Sequence, residues 1–438
     1  MKSIPDVQVE DNSDTSHSSA GGGGGGMKVW TISGRLLVRE SEIDGTSHDR
    51  PLKGVEVEVS ASDISASGPW SDWGSGRTDA DDDWSVSESN NGASRFLRVR
   101  ARFLAADLEL EDPTLGDIGH LDLTDKNWRT VWRSNGQLSG PAVSVGTRVF
   151  ASGQPEDLGD AMNRRRAVVW YTLRTALDRL KAEDPWLAIA GKVIAVYPAR
   201  SVIGSTYNDG QRIFLAQADP DVDWHPDVVL GQLMLRWFDE HTHGSRKLTG
   251  WPSAHLALGF AGFGSTALRH ELWGLRLSPP FNRRTVATTL ELSTLDEIDD
   301  DDRGAMNVFH LLAYGERRGW WSHLLGTAQA YPDNRPDDNG NGLPDHADEV
   351  GVKQRLDGRV VPGGKDHLSL WDILHAFRAD PSRGWTTDLD VGKPSDGVMA
   401  FVERAISINA LDDDVLAMLR DCIDPLGTKE PYEWLPKP

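Results

Sequence analysis

The segment Asp337 to Asp348 carries oxygen side chains at a spacing that could hold a metal ion. It reads Asp337-Asp338-Asn339-Gly340-Asn341-Gly342-Leu343-Pro344-Asp345-His346-Ala347-Asp348. Asp337, Asn339 and Asn341 take loop positions 1, 3 and 5, and Gly342 at position 6 permits a sharp turn. Leu343 at position 7 offers its backbone carbonyl, and Asp345 at position 9 and Asp348 at position 12 complete a cage. Such a loop wraps a hard cation with roughly 6–8 oxygen ligands at about 2.4 Å. The expected cofactor is therefore calcium in a structural role, and zinc is not expected. Two Asn in place of Asp reduce the ligand charge and set the expected dissociation constant near ~10⁻⁴ M. The acidic run Asp296–Asp302 has neither glycine nor this register and reads as a solvated loop.

Other chemistries find no motif. The sequence has no Gly-x-Ser-x-Gly elbow and no phosphate loop ending in Gly-Lys-Ser/Thr. Its one cysteine, Cys422, excludes an intrachain disulfide, and the neighbouring Asp421 and Asp424 oppose a reactive thiolate. The 46 basic and 67 acidic residues give a formal charge of −21, which repels phosphate backbones. The longest basic run is Arg164 to Arg166. Expected partners are other proteins, with no nucleic acid and no membrane insertion, because no apolar run approaches the ~18 residues of a span. The N-terminus has no apolar stretch of the Sec type. The expected location is extracellular or particle-associated by a non-Sec route, otherwise cytoplasmic.

Residues 1–26 read as a Gly-rich tail ending in Gly21 to Gly26. From Met27 the pattern is β. Val55, Val57 and Val59 alternate with Glu56 and Glu58, and the spacing predicts strands at Lys28–Leu37, Gly54–Ser60, Trp84–Ser87 and Phe96–Phe103. Turn clusters of Gly, Ser, Asp and Asn separate them. This predicts an all-β sandwich over 27–135, followed by a mostly helical α+β domain over 136–438. The stretch from Gly76 to Val86, an acidic turn leading into a strand at Trp84, resembles the transthyretin-like regulatory domains attached to carboxypeptidases. That resemblance implies a seven-stranded sandwich without catalytic residues. The acidic turn itself reads as solvated before it reads as a cation site. The chain holds 17 tryptophans. Trp70, Trp73 and the pair Trp320-Trp321 read as core anchors before they read as a ligand platform.

Past residue 150, apolar spacing predicts helices at Asp157–Ala182, Pro226–His241, Ala254–Trp273, Gly304–Gly315, Leu368–Arg378, Asp396–Ile406 and Asp412–Cys422. Val193–Tyr197 and Arg212–Ala216 read as strands. The strand Arg212–Leu215, the acidic Asp223-Trp224 and the helix opening Asp227-Val228-Val229-Leu230 resemble the edge strand and active-site helix of gluzincin metallopeptidases, the thermolysin- and fungalysin-like proteins. In that family two His four residues apart bind zinc, a Glu between them is the general base, and a Glu on the next helix is the third ligand. Gly231 and Leu235 stand at the two His positions, Gln232 at the Glu, and Leu258 of Leu258-Gly259-Phe260-Ala261-Gly262-Phe263 at the third ligand. The resemblance thus implies a gluzincin-like domain that has lost its zinc chemistry, a pseudopeptidase kept for binding or structure. The alternative is an active zinc metallopeptidase with displaced His and Glu ligands. Against it, His241 and His243 are two apart and do not share a helix face, and His270-Glu271 lacks a second His. Such histidines read as helix-end partners.

Overall fold

A computed structural model describes residues 28–41, 47–90, 94–111, 128–199, 207–208, 212–216, 224–243, 251–273, 309 and 368–377. The calcium-type loop 337–348, Trp320-Trp321, Cys422 and the helices expected at 396–406 and 412–422 lie outside them.

Nine strands come first among the described residues: β1 (Lys28–Ser41), β2 (Ser47–Pro51), β3 (Glu56–Ser62), β4 (Ser71–Arg77), β5 (Asp83–Asn90), β6 (Phe96–Arg102), β7 (Leu108–Glu111), β8 (Arg129–Arg133) and β9 (Ala142–Phe150). Strand β1 pairs antiparallel with β2 and β5 and parallel with β9. A second sheet runs β4-β3-β6-β8, antiparallel throughout. Period-two alternation explains both inner faces. Trp30, Ile32, Leu36 and Val38 of β1, Val57 and Val59 of β3, and Leu97, Val99 and Ala101 of β6 are all buried in one core. At Gly34 a Cβ would meet the carbonyl oxygen of Gly146 at 3.0 Å and Trp84 at 3.1 Å, so β1, β5 and β9 close together there only because no side chain intervenes. Thr78, on the turn after β4, holds two segments together. Its buried hydroxyl donates to the carbonyl of Leu52 at 2.5 Å and accepts from the Val55 N–H at 2.9 Å. Thr78→Val leaves both unpaired, and urea unfolding is expected to show a loss of about 1–3 kcal/mol.

The rest is helix on sheet. Helix α1 (Ala161–Glu183) starts where the Asp160 carboxylate accepts the Asn163 N–H. It buries Val169, Leu173, Ala176, Leu177 and Leu180, the predicted stripe. A 3₁₀ turn, Pro185–Leu187, leads to β10 (Val193–Ala199), β11 (Tyr207–Asn208) and β12 (Arg212–Ala216). These form a third sheet in the order β11-β12-β10-β7, with β7, β10 and β12 parallel. Then come α2 (Pro226–Phe238), a π turn (Asp239–His243), α3 (Trp251–Trp273) and α4 (Leu370–Phe377). Pro226 opens α2 because its ring presets the helical φ and its missing N–H is not needed in the first turn.

The expected division at residue 135 is crossed twice. Strand β7 lies before it yet pairs with β10, and β9 lies after it yet pairs with β1. The three sheets and the helices share one buried core, with a small satellite of Val196, Ala199 and Phe214.

Candidate functional site

Helices α2 and α3 pack antiparallel through their smallest residues. A Cβ on Gly231 would lie 3.8 Å from that of Ser265, and one on Gly264 would touch Met234 at 3.0 Å. The Ser265 hydroxyl donates to the carbonyl of Asp227 at 2.5 Å. At the far end Trp237 and Phe238 pack at a tilt against Phe260, which meets Phe309 edge-on.

This register decides where the four zinc-type positions go. Gly231, Gln232 and Leu235 lie on α2, with Leu235 buried and Gly231 turned onto Ser265. Leu258 is 44% exposed, seven residues before the partner that Gly231 meets, so it does not join the other three in a closed cavity. Glycine and serine let the two backbones approach, and the helices settle where Gly231, Gly264 and Ser265 coincide. Both ring nitrogens of His241 face carbonyl oxygens, Nδ1 that of Trp237 at 2.9 Å and Nε2 that of Trp186 at 3.1 Å, and the ring stacks on Trp237 at 4.2 Å. Among the described residues no group of three or more His, Cys, Asp or Glu could hold a metal ion, and no helix is long and apolar enough to cross a membrane.

The chemistry that is assembled here is ionic. Asp227, 1% exposed, lies 3.2 Å from Arg269, itself 5% exposed, and Arg269 lies 3.8 Å from buried Glu40 on β1. Arg50 of β2 reaches Glu40 at 3.3 Å. Arg269 also sits 5.0 Å above the Trp273 ring, whose N–H donates to the Tyr171 hydroxyl of α1 at 2.8 Å. Burial pushes the Tyr171 hydroxyl above its ordinary range, against that bond. The cluster thus ties β1, β2, α2 and α3 together through charge, and α1 through the Tyr171–Trp273 hydrogen bond. Nothing in the sequence marked it. Asp227 read only as the opening residue of the gluzincin-like helix, and Glu40 and Arg269 carried no reading.

The acidic turn is exposed at Asp79, Asp81 and Asp83, and only Asp82 departs from the solvated loop expected. Asp79 accepts the N–H groups of Asp81 and Asp83 at 2.9 and 3.0 Å. Asp82, with φ +64°, is buried beneath Arg35 at 3.0 Å. Burial raises its carboxyl, and the Arg35 bond opposes that rise. Trp73 packs on the core edge-on to Trp30 at 5.5 Å, and Trp70 lies under Arg98 at 4.8 Å. Register also builds a ladder on β6. Arg100 bonds Glu58 at 2.5 Å and Arg102 bonds Glu56 at 2.7 Å, with Trp128 over both guanidinium groups. The alternation Arg98-Val99-Arg100-Ala101-Arg102 carried that signal.

No family model matches this sequence, and no curated protein matches it. Among solved structures, a 9R-lipoxygenase from Cyanothece PCC8801 aligns at 15% identity over 39% of this chain, with a TM-score of 0.18. The alignment spans 25% of that enzyme's length, and a likeness this slight carries no argument.

Proposed function

We propose that this chain is a non-catalytic structural or binding component of a larger protein assembly, its peptidase-like helix stripped of zinc chemistry and its loop 337–348 steadied by calcium. One observation carries the reading. Gly231, at the first zinc-type position, packs against Ser265 of α3, while Gln232 and Leu235 supply neither a base nor a metal-binding imidazole. A catalytic zinc needs three protein donors around an open fourth position. The reading rests on α2 and does not use Leu258. The calcium part rests on the spacing of Asp337, Asn339, Asn341, Leu343, Asp345 and Asp348 alone.

Two measurements test it. Metal analysis of the purified chain is expected to find no stoichiometric zinc, and unfolded casein is expected to remain uncut. Bound zinc with chelator-sensitive cleavage overturns the proposal in favour of a peptidase with displaced ligands. For calcium, ~10 mM is about a hundred times the expected dissociation constant and should add about 2.7 kcal/mol of stability. Asp337→Ala with Asp348→Ala should abolish that gain. Identical melting with calcium and with chelator would remove calcium from the proposal.

A further inference from the structure

The π turn that ends α2 holds a carboxyl group in an unfavourable place. Asp239 is 6% exposed, and no hydrogen-bond donor reaches its Oδ1. It sits at a helix C-terminus, where the backbone carbonyls repel negative charge. π turns of this kind recur at functional positions.

The same turn clamps α2 to the segment before β10. Glu240 accepts the Ala190 N–H, His241 faces the Trp186 carbonyl, and the Trp237 N–H donates to the Leu187 carbonyl at 2.9 Å. The charged groups acting on Asp239 among the described residues are Arg236, one turn earlier, and Glu240 beside it. Arg236 also lies 3.9 Å from Glu240, so its charge is shared. On the facing segment Lys192 is paired with Glu109, and Asp184 lies 3.8 Å from His375 of α4.

We propose that this turn is a proton-gated joint: with Asp239 protonated the clamp between α2 and residues 186–190 is tight, and with Asp239 ionised it loosens. Burial, with Glu240 adding to it and Arg236 opposing, lifts this carboxyl to about 6. A raised carboxyl favours the folded joint at low pH. That stability is complete below the unfolded value near ~4 and is lost as pH climbs through about 6.

Hydrogen exchange of the Trp186–Ala190 amides reads the joint directly. After correction for intrinsic rates, protection is expected to fall about tenfold between pH 5 and 7.5 in the intact chain, out of ~100-fold over the whole titration. In Asp239→Asn it should stay level. A fall of equal size in the variant overturns the proposal. If the variant does not fold, the intact chain labelled with carboxyl-¹³C aspartate decides. An aspartate resonance whose midpoint near 6 coincides with the fall in Trp186–Ala190 protection supports the joint, and aspartate midpoints all displaced from that fall overturn it.

Discussion

Replacing Arg269 with methionine is expected to lower the unfolding free energy by about 3–5 kcal/mol, because it removes the cation beside Asp227, a carboxylate that is 1% exposed. Urea titration followed by tryptophan fluorescence measures the loss as a lower midpoint at unchanged slope. The companion Asp227→Leu/Arg269→Met removes both charges, and it is expected to recover part of the loss, since a buried pair contributes little net stability over apolar groups of similar size while buried Glu40 loses one of its two arginine neighbours. A single variant losing less than about 1 kcal/mol would show that the pair is solvated. Amide hydrogen exchange on the same variants reads specificity. Glu40 on β1 faces this arginine, so the double variant should fold with a looser fit between strand and helices, seen as faster exchange of β1 and α3 amides.

Trp170→Ala should be as damaging, at about 3–5 kcal/mol. Trp170 is fully buried in the middle of α1, its ring 5.7 Å from Phe103 and its N–H on the Lys53 carbonyl at 3.0 Å. Trp170→Phe separates the two contributions. It keeps most of the ring and strands the Lys53 carbonyl, so it should lose only about 1–3 kcal/mol. Equal losses in both variants would mean that the hydrogen bond, not the packing, holds α1 to the sheet.

What the sequence made legible was short-range. Val57 and Val59 announce the inner face of β3, and Pro226 marks the start of α2 to the residue. Strand β4, Ser71-Asp72-Trp73-Gly74-Ser75-Gly76-Arg77, has no β-branched residue and no apolar alternation. It is a strand because β3 offers it a ladder, and Gly74 and Gly76 let it lie close over β5. Parallel pairing of β1 with β9 joins segments about a hundred residues apart, a distance over which no local pattern carries information. The site shows the same limit. The helix and its zinc-type positions could be read one by one, but what stands opposite Gly231 depends on how far two helices slide before their small residues meet. That slide set Ser265 opposite Gly231 and left Leu258 at the surface. Asp239 escaped notice for a similar reason, since the run Asp239-Glu240-His241 looks like a solvated helix end until the turn folds inward.

The traded strands have a consequence for how this chain can be cut. A fragment ending near residue 135 would keep β1 but lose β9, baring eight paired positions from Thr31 to Val38. The complementary fragment would lack β7 and leave β10 with an open side. Naked ladders of that length invite other chains to dock on them. Fragments cut at that junction are therefore expected to aggregate, which size-exclusion chromatography of each half would read against the intact chain.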